Sequence, residues 1–200
     1  MPSLSPEYEN ILWNEGRIPA GVDEAGRGPL AGPVVAASVI LSREEPVYGL
    51  NDSKALTSAK RSGLYEEIYK KAVSVAVGIV ENEIIDEINI LQATIKAMEK
   101  SILGLSVIPD LVYIDGNRPT TLEIKQQTIV KGDTKCQSIA AASIIAKVTR
   151  DRIMEELDKV YPLYGFSKHK GYPTKAHYEA ISKYGPSPVH RLSFRGVQVK

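Results

Sequence analysis

The sequence predicts an α/β domain, in which short strands and amphipathic helices alternate along 200 residues. Five short apolar segments are predicted strands, and one of them, 34–41, is a near-continuous run of the kind found in strands that are covered on both faces. Another of them, 73–79, alternates between large and small residues with the period of two that marks a strand. The segments between them carry apolar residues at three- and four-residue spacing, which defines one face of a helix. A sheet flanked by helices accommodates both patterns.

Each element follows from a local pattern. Strands are predicted at 18–24, 34–41, 73–79, 111–114 and 128–130. Helices are predicted at 58–71 with Ser58 as N-cap, at 83–103 as one amphipathic helix, at 138–160 and from about 174 to 184. The alanines of the helix at 138–160 would let it lie close against the sheet. Residues before Ile18 are expected to form a short turn or helix that packs back on the body.

Composition and length favour one domain over residues 1–200, with a basic helical and tail segment from about 161 to 200. The apolar runs are shorter than the roughly 20 residues of a membrane span, and the N-terminus lacks the features of a secretory signal. A cytoplasmic protein without a membrane partner is therefore expected. The only cysteine, Cys136, excludes an internal disulfide and a cysteine-based zinc cluster.

Positive charge is concentrated near the C-terminus, although the net charge is only +1. From Lys159 onward a single acid, Glu179, stands against many basic residues, which indicates a surface that faces a polyanion. The three histidines do not have metal-ligand spacing and are interpreted as basic-surface or structural residues. The basic side chains are Lys159, Lys168, His169, Lys170, Lys175, His177, Lys183, His190, Arg191, Arg195 and Lys200.

The segment from Gly21 to Gly32 joins two adjacent acids, Asp23 and Glu24, to a loop with glycines around one arginine. Neighbouring side chains on an ideal strand point to opposite faces, so Glu24 is expected where the strand turns into the loop. Gly26 and Gly28 could adopt positive φ and expose backbone N–H groups to a phosphate or a sugar hydroxyl. The alternative is a strand followed by an ordinary polar turn.

Acids also follow two later strands, at Asp115 and Asp133, each beside a glycine. The carboxyl ends of parallel strands meet at one crevice, so these acids can converge with Asp23 and Glu24. Four carboxylates without a His or Cys partner suit Mg²⁺ or Mn²⁺, and a pair of such ions is suited to phosphodiester hydrolysis. Taken singly, Asp115 or Asp133 is explained equally well as a turn former.

These motifs resemble those of the type 2 ribonucleases H, the ribonuclease HII family, in its bacterial form. The resemblance covers nearly the whole chain in the family's order. Arg27 and Asp133 stand where the related ribonuclease HIII usually has Lys and Glu, and no additional N-terminal substrate-binding domain is expected. The matching segments are 23–32, 52–54, 113–117, 131–133, 138–151, 169–172 and 190–194.

The resemblance implies a ribonuclease H fold, which is a five-stranded mixed sheet flanked by helices with a small helical C-terminal part. It implies that Asp23, Glu24, Asp115 and Asp133 are the catalytic metal ligands for two divalent ions, Mg²⁺ or Mn²⁺. It also implies that the substrate is bound by Gly26, Arg27, Gly28, Lys54 and Tyr172. On composition alone, Tyr172 could be a loop aromatic that shields the core and Lys54 an ordinary solvated lysine.

The expected activity is hydrolysis of RNA in RNA–DNA hybrids and cleavage 5′ of single ribonucleotides in duplex DNA, leaving 3′-hydroxyl and 5′-phosphate ends. Such a monomeric enzyme would remove misincorporated ribonucleotides and primers. One alternative is a hybrid-binding module without catalysis, which the presence of all four acids disfavours. A nucleotide hydrolase would need a phosphate-binding loop pattern that the sequence lacks. Lys147 and Asp151 are left open, with an ion pair to Arg150 or a neighbour expected for Asp151.

Overall fold

A five-stranded sheet forms the centre of the protein, and the computed structural model describes residues 4–53 and 55–197. The strand order is β3-β2-β1-β4-β5. β1 pairs antiparallel with β2, and β2 with β3, whereas β1, β4 and β5 are parallel to one another. The parallel half of the sheet therefore places three carboxyl ends at one edge. The strands are β1 Pro19–Ala25, β2 Val34–Ile40, β3 Ser74–Val80, β4 Leu111–Asp115 and β5 Gln126–Ile129.

Six helices surround the sheet in the described part of the chain, close to the positions that the sequence predicts. The N-cap of α2 is Thr57 rather than Ser58, because the Thr57 side chain accepts a hydrogen bond from the Lys60 N–H. None of the helices at 4–53 and 55–197 is both long and apolar enough to cross a membrane. The helices are α1 Glu7–Trp13, α2 Ser58–Lys71, α3 Asn82–Leu103, α4 Gln137–Val160, α5 Phe166–His169 and α6 Lys175–Tyr184.

The prediction of one continuous helix at 83–103 is wrong, because α3 is interrupted at Asn89. This residue has φ 66° and ψ 164°, outside the helical region. Its side-chain oxygen accepts hydrogen bonds from the N–H groups of Leu91 at 3.0 Å and Gln92 at 3.2 Å. Asn89 therefore acts as the N-cap of a second helical segment. The spacing of apolar residues continues across the break, so periodicity alone does not reveal it.

Helices cover both faces of the sheet, and two glycines let them approach closely. At Gly21 of β1 a Cβ atom would overlap the α4 backbone at Ser138, and at Gly78 of β3 it would overlap the carbonyl oxygen of Ala97 in α3. The alanines of α4 pack with β2 and α2 in one apolar cluster, while α3 packs with β1, β2 and β4 in another. The first half of α4 is thereby fixed against the strand that carries Asp23.

The N-terminal helix is attached to α4 through one buried carboxylate. Glu9 Oε1 accepts hydrogen bonds from the Ser138 N–H at 2.8 Å and from Cys136 Sγ at 3.0 Å. Ser138 lies in the first turn of α4, where N–H groups lack partners within the helix and a negative charge is favourable. Within the described residues before Ile18, the helix therefore packs back on the body as predicted, with a structural role for Glu9 that no motif indicates.

Two buried arginines attach the C-terminal part of the chain to the segment that follows β1. Arg191 donates to four carbonyl groups of this segment at 2.7–3.2 Å, those of Gly26, Arg27, Pro29 and Gly32. Arg150 of α4 donates at 3.0–3.1 Å to the carbonyl groups of Ala31, Pro33 and Lys170. Arg191 is fully buried, so the interpretation of this residue as part of a polyanion-facing surface is wrong.

The histidines of the C-terminal part form a cluster around Phe166. His177 and His190 are buried, and their Nε2 atoms lie 3.0 Å apart. The His169 and His177 rings stack with centroids 4.5 Å apart. Of the two interpretations given to these residues, the structural one holds for His177 and His190, and the basic-surface one does not.

We expect Arg191→Lys to lower the free energy of unfolding by about 3 kcal/mol or more. A lysine has no planar fork of donors, so several buried carbonyl groups would lose their partners at about 1–3 kcal/mol each. Urea denaturation measures the change. The matched control is Arg195→Lys at an exposed position, for which we expect a change within about 0.5 kcal/mol. A loss below about 1 kcal/mol at Arg191 would contradict this account.

The free energy of unfolding should also depend on His190 at acidic pH. Burial, and then the nearby His177, lowers the pKa of His190 to about 4. Between the unfolded value of about 6.5 and that folded value, the unfolded state binds a proton that the folded state does not. Stability therefore falls as the pH drops through this window, and the His190 contribution levels off below it.

Urea denaturation of the wild type and of His190→Gln across this pH window isolates that contribution. The raised pKa of Asp23 acts in the opposite direction, since the folded carboxyl then binds the proton more tightly. That effect is common to both proteins and cancels in their difference. We expect the stability advantage of the wild type over the variant to shrink on acidification, and a constant difference would refute the assignment.

Candidate active site

A cavity of about 430 Å³ lies where the carboxyl ends of β1 and β4 meet. It collects all four predicted carboxylates, the three residues of the glycine loop and Tyr172. Lys54, predicted to bind substrate, lies outside the described residues. The lining residues are Asp23, Glu24, Ala25, Gly26, Arg27, Gly28, Ser53, Asp115, Asp133, Ser143, Lys147 and Tyr172.

Like charges accumulate at the centre of this cavity. Burial, followed by the charges of Glu24 and Asp115, raises the pKa of Asp23 well above its usual value. The Asp23 carboxylate is held from one side, where its Oδ1 accepts the Glu24 N–H at 2.7 Å. Burial also raises the pKa of Glu24, and the Arg27 guanidinium at 3.3 Å opposes that rise. The negative charges are thus only partly compensated by the protein itself.

The other two acids are brought together by the parallel strands. Asp115 is the last residue of β4, and its Oδ1 accepts the Gly132 N–H at 2.6 Å. This bond holds a 3₁₀ turn, Gly132–Thr134, against the end of β4. Asp133 lies in that turn and lines the same cavity. The predicted convergence of acids from different strand ends is therefore present in the structure.

The donor set fits a hard divalent cation. Within residues 4–53 and 55–197 no three His, Cys, Asp or Glu side chains are already arranged as a metal-binding group. The acids nevertheless supply only oxygen ligands, which Mg²⁺ and Mn²⁺ prefer. Each of the two acids on β1 has its pKa raised by burial and by the Asp115 charge. A cation between them would remove that repulsion.

Hydrogen bonds to its carbonyl groups fix the conformation of the glycine loop at 26–28. Gly26 has φ 96°, and a Cβ atom there would overlap the Arg150 side chain. Arg191 binds the carbonyl groups of Gly26 and Arg27. The N–H groups of the same two peptide bonds, which belong to Arg27 and Gly28, therefore point away from the protein interior. The N–H groups of Arg27 and Gly28 donate to no group among the described residues. The loop therefore presents free donors at the edge of the cavity.

Gly28 differs from the prediction, because it does not adopt positive φ. A Cβ atom at Gly28 would lie 3.7 Å from the tyrosine ring, an ordinary van der Waals distance, so Gly28 and Tyr172 are neighbours in the cavity. Tyr172 is 42% exposed, so it does not serve mainly to shield the core. The Arg150 guanidinium lies 6.0 Å from the centroid of its ring. The ring and the loop form two adjacent walls of the cavity.

Two serines in the cavity have no counterpart in the predicted site. Ser143 of α4 and Ser53 are joined by a hydrogen bond of 2.9 Å between their hydroxyl groups. A hydrogen bond from the Ser143 side chain also opposes the rise in the pKa of Asp23. The sequence feature that could have identified Ser143 is its position as a polar residue in the alanine-rich first half of α4, on the same helix face as Lys147.

Lys147 and Asp151, left open by the sequence, form an ion pair one helical turn apart. The Lys147 Nζ atom lies 2.6 Å from Asp151 Oδ1. Lys147 lines the cavity, whereas Arg150 points into the protein and contacts carbonyl groups. The expected ion pair of Asp151 is thus made with the neighbour Lys147 and not with Arg150.

The sequence and the fold match one family of known proteins. Residues 20–197 match the family model described as Ribonuclease HII. The chain is 56% identical over 188 residues to Ribonuclease HII of Acetivibrio thermocellus, covering 94% of this chain and 73% of that protein. It also resembles the ribonuclease H2 structure from Pyrococcus horikoshii OT3, with a TM-score of 0.74 at 30% identity, covering 90% and 95% of the two chains.

A more distant structure shares the fold alone. Bst-RNase HIII in complex with Mn²⁺ has a TM-score of 0.67 and 19% identity, with 90% of this chain and 68% of that chain covered. The predicted ribonuclease H fold, a five-stranded mixed sheet flanked by helices, is confirmed. The motifs, the fold and the match across residues 20–197 agree, so the chain belongs to the ribonuclease HII family and is an endoribonuclease of the ribonuclease H type.

Proposed function

We propose that this enzyme hydrolyses the RNA strand of RNA–DNA hybrids and also cuts 5′ of single ribonucleotides in duplex DNA, leaving 3′-hydroxyl and 5′-phosphate ends. Asp23, Glu24, Asp115 and Asp133 would hold two divalent ions, Mg²⁺ or Mn²⁺. The observation that carries the proposal is the presence of these four acids in one cavity, where burial and mutual repulsion raise the pKa of Asp23. The Mn²⁺ complex of Bst-RNase HIII, a protein of the same fold, supports the choice of ions.

The residues that line the cavity have different roles in such a reaction. When bound, the ions would supply an activated water and stabilise the leaving oxygen. Asp23 is held by the Glu24 N–H and Asp115 by the Gly132 N–H, so one carboxylate oxygen of each acid has a fixed position in the cavity. Arg27 is half exposed beside Glu24, where it can contact a phosphate once a cation compensates Glu24. Lys147 adds a second positive charge at the rim.

Recognition of RNA requires groups that sense the 2′-hydroxyl, since metal ions alone would cut DNA equally well. The free N–H groups of Arg27 and Gly28 can donate to that hydroxyl. Tyr172 can stack on the adjoining sugar, because its ring is exposed. It can also bond to the sugar, because its hydroxyl has no hydrogen-bond partner among the described residues. This arrangement supports cleavage at a single ribonucleotide, and hence a role in removing misincorporated ribonucleotides and primers.

In this proposed function the chain is a single catalytic domain that acts as a monomer in the cytoplasm. The rival function, a hybrid-binding module without hydrolysis, would gain nothing from a cavity in which the charges of Glu24 and Asp115 act against that of Asp23. A labelled RNA–DNA hybrid incubated with the protein, with and without Mg²⁺, distinguishes the two. Cleavage that depends on the ion supports the proposal, and binding without cleavage supports the rival.

The first prediction for this site concerns Asp23→Asn. The amide keeps the shape and the acceptor for the Glu24 N–H but loses the charge that attracts a cation. We expect turnover of an RNA–DNA hybrid to fall by at least about 100-fold, which corresponds to about 3 kcal/mol of transition-state stabilisation. Without divalent ions, the melting temperature should rise, by about 2–4 °C for each kcal/mol of repulsion removed.

Thermal melting with increasing Mg²⁺ provides the second measurement on this variant. The wild type should gain stability as the ion binds, and Asp23→Asn should gain much less. The control is Glu123→Gln, an exposed acid away from the cavity, which should behave as the wild type in both assays. Near-normal turnover by Asp23→Asn at ordinary Mg²⁺ would remove Asp23 from the metal site.

A further prediction separates the ring of Tyr172 from its hydroxyl. Stacking on a nucleotide is worth about 1–3 kcal/mol, so Tyr172→Ala should lower kcat/KM on a duplex with one ribonucleotide by about 10-fold or more. On a long hybrid the loss should be smaller, because many registers are available. Tyr172→Phe keeps the ring, so any loss that it shares with Tyr172→Ala reports on the hydroxyl.

Tyr48→Ala is the matched control for this pair, since Tyr48 is 71% exposed and does not line the cavity. It should cleave both substrates at the wild-type rate. All-DNA duplex should remain uncut by every variant. An equal loss on both ribonucleotide substrates for Tyr172→Ala would make Tyr172 a general binding residue, and cleavage of all-DNA duplex would overturn the 2′-hydroxyl argument.

A further inference from the structure

We propose that His177 and His190 are positioning residues, which form a hydrogen-bond chain of fixed direction that holds the backbone of Tyr172 at the edge of the active site. The chain runs from the loop at Ser187 through both imidazole rings to the Tyr172 carbonyl group. Its three links are between 2.9 and 3.0 Å long. The inference rests on the proposed role of Tyr172 in reading the substrate.

The two ends of the chain fix the proton positions independently. A carbonyl oxygen can only accept, so the His177 Nδ1 atom, 3.0 Å from the Tyr172 oxygen, must carry a hydrogen. A backbone N–H can only donate, so the His190 Nδ1 atom, 2.9 Å from the Ser187 nitrogen, must be bare. In a neutral ring only one nitrogen carries hydrogen, which leaves His177 Nε2 bare and His190 Nε2 protonated.

The middle link satisfies both requirements at once. The two Nε2 atoms lie 3.0 Å apart, and the hydrogen on His190 points to the lone pair on His177. Reversing either ring would place two hydrogens or two lone pairs face to face. Adding a proton to either ring would do the same at one of the links. The geometry therefore admits one neutral arrangement of this pair.

His169 completes the support of the same turn. It accepts the Gly171 N–H at its Nδ1 atom at 3.2 Å, and its Nε2 atom lies 2.8 Å from the Tyr164 oxygen, to which it donates. Its ring stacks on His177. The Tyr172 N–H donates to the His169 carbonyl group at 2.9 Å. The amide and the carbonyl of Tyr172 are thus both tied to this cluster.

The turn before Tyr172 needs such external support. Lys170 has φ 52° and Gly171 has φ 80°, so two consecutive residues adopt the left-handed conformation, which is costly for lysine. A Cβ atom at Gly171 would overlap the Ala31 carbonyl oxygen, which shows how closely the turn lies on the loop after β1. Small movements of this turn would shift the Tyr172 ring away from Gly28.

Burial keeps the cluster in the neutral state that the chain requires. It lowers the pKa of His177, and with His177 as a second cause it lowers the pKa of His190 to about 4. The chain is therefore intact throughout the neutral range, and it acts as a fixed support for Tyr172.

Nuclear magnetic resonance tests the chain without any assay of activity. The protein has 3 histidines, so long-range proton–nitrogen correlations of the imidazole rings are readily assigned. At neutral pH we expect His177 as the Nδ1–H tautomer, and His169 and His190 as Nε2–H tautomers. An Nε2–H tautomer or a protonated ring at His177 would overturn the chain, whatever the function of the enzyme.

Paired variants test whether the chain positions Tyr172. The side-chain amide of His177→Asn places an N–H close to the position of Nδ1, whereas His177→Ala places none. The readout is the ratio of kcat/KM on a duplex with one ribonucleotide to kcat/KM on a long hybrid. We expect His177→Ala to lower this ratio by about 10-fold, and His177→Asn to keep it within about threefold of the wild type. An unchanged ratio for a folded His177→Ala protein would refute the positioning role.

Tyr172→Ala in the same assay distinguishes the proposed role of Tyr172 from the positioning role of His177. If this variant leaves the ratio unchanged, the proposed role of Tyr172 fails. If Tyr172→Ala lowers the ratio and His177→Ala does not, the positioning role alone fails. If His177→Ala does not fold, His177→Asn is compared with Tyr172→Ala instead. A kcat/KM ratio that falls equally in both variants would refute the role of the His177 Nδ1 donor, and a wild-type ratio in His177→Asn would support it.

Discussion

The structure depends on two guanidinium groups that are buried without a carboxylate partner. Arg150 and Arg191 donate to carbonyl groups, and most of these belong to the segment after β1. Burial lowers the pKa of Arg191 to about 9, and the neighbouring Arg150 contributes to that shift. Such a placement is unfavourable for the charges, and the carbonyl partners offset it only in this one conformation of the loop. The conformation of the loop is therefore determined by the hydrogen bonds that its carbonyl groups accept.

Opposite charges are kept apart on the two sides of this loop. The guanidinium groups lie behind it, while Asp23, Glu24 and Asp115 lie in front of it in the cavity. An arginine paired with those acids would stabilise the resting protein and occupy the place of a cation. Because carbonyl groups satisfy Arg150 and Arg191, the acids remain available. Among the residues that the structure describes, only the half-exposed Arg27 forms an ion pair with Glu24, at 3.3 Å, where it can be displaced.

The sequence predicts the parts of the site that follow from strand direction. Asp23, Asp115 and Asp133 follow apolar strands, and the parallel pairing of β1, β4 and β5 is enough to bring them together. It does not predict features in which a side chain satisfies the backbone of a distant segment. Periodicity says nothing about Asn89 as a cap within α3, and a charge count assigns Arg191 to the surface. Both errors come from treating polar residues as solvent-facing.

The histidine cluster shows why such features matter for recognition. The proposed recognition of RNA requires a fixed position for Tyr172, and this residue lies on a turn whose own conformation is unfavourable at Lys170. Local backbone bonds join the Tyr172 N–H to the His169 carbonyl and the Thr174 N–H to the Tyr172 carbonyl. Two imidazole rings add to them, since His169 accepts the Gly171 N–H and His177 donates to the Tyr172 carbonyl. These rings stand on α5 and α6, which pack on α4 through Phe166 and Met154. The C-terminal helices thus connect the sheet that holds the acids to Tyr172, the residue that we propose faces the sugar.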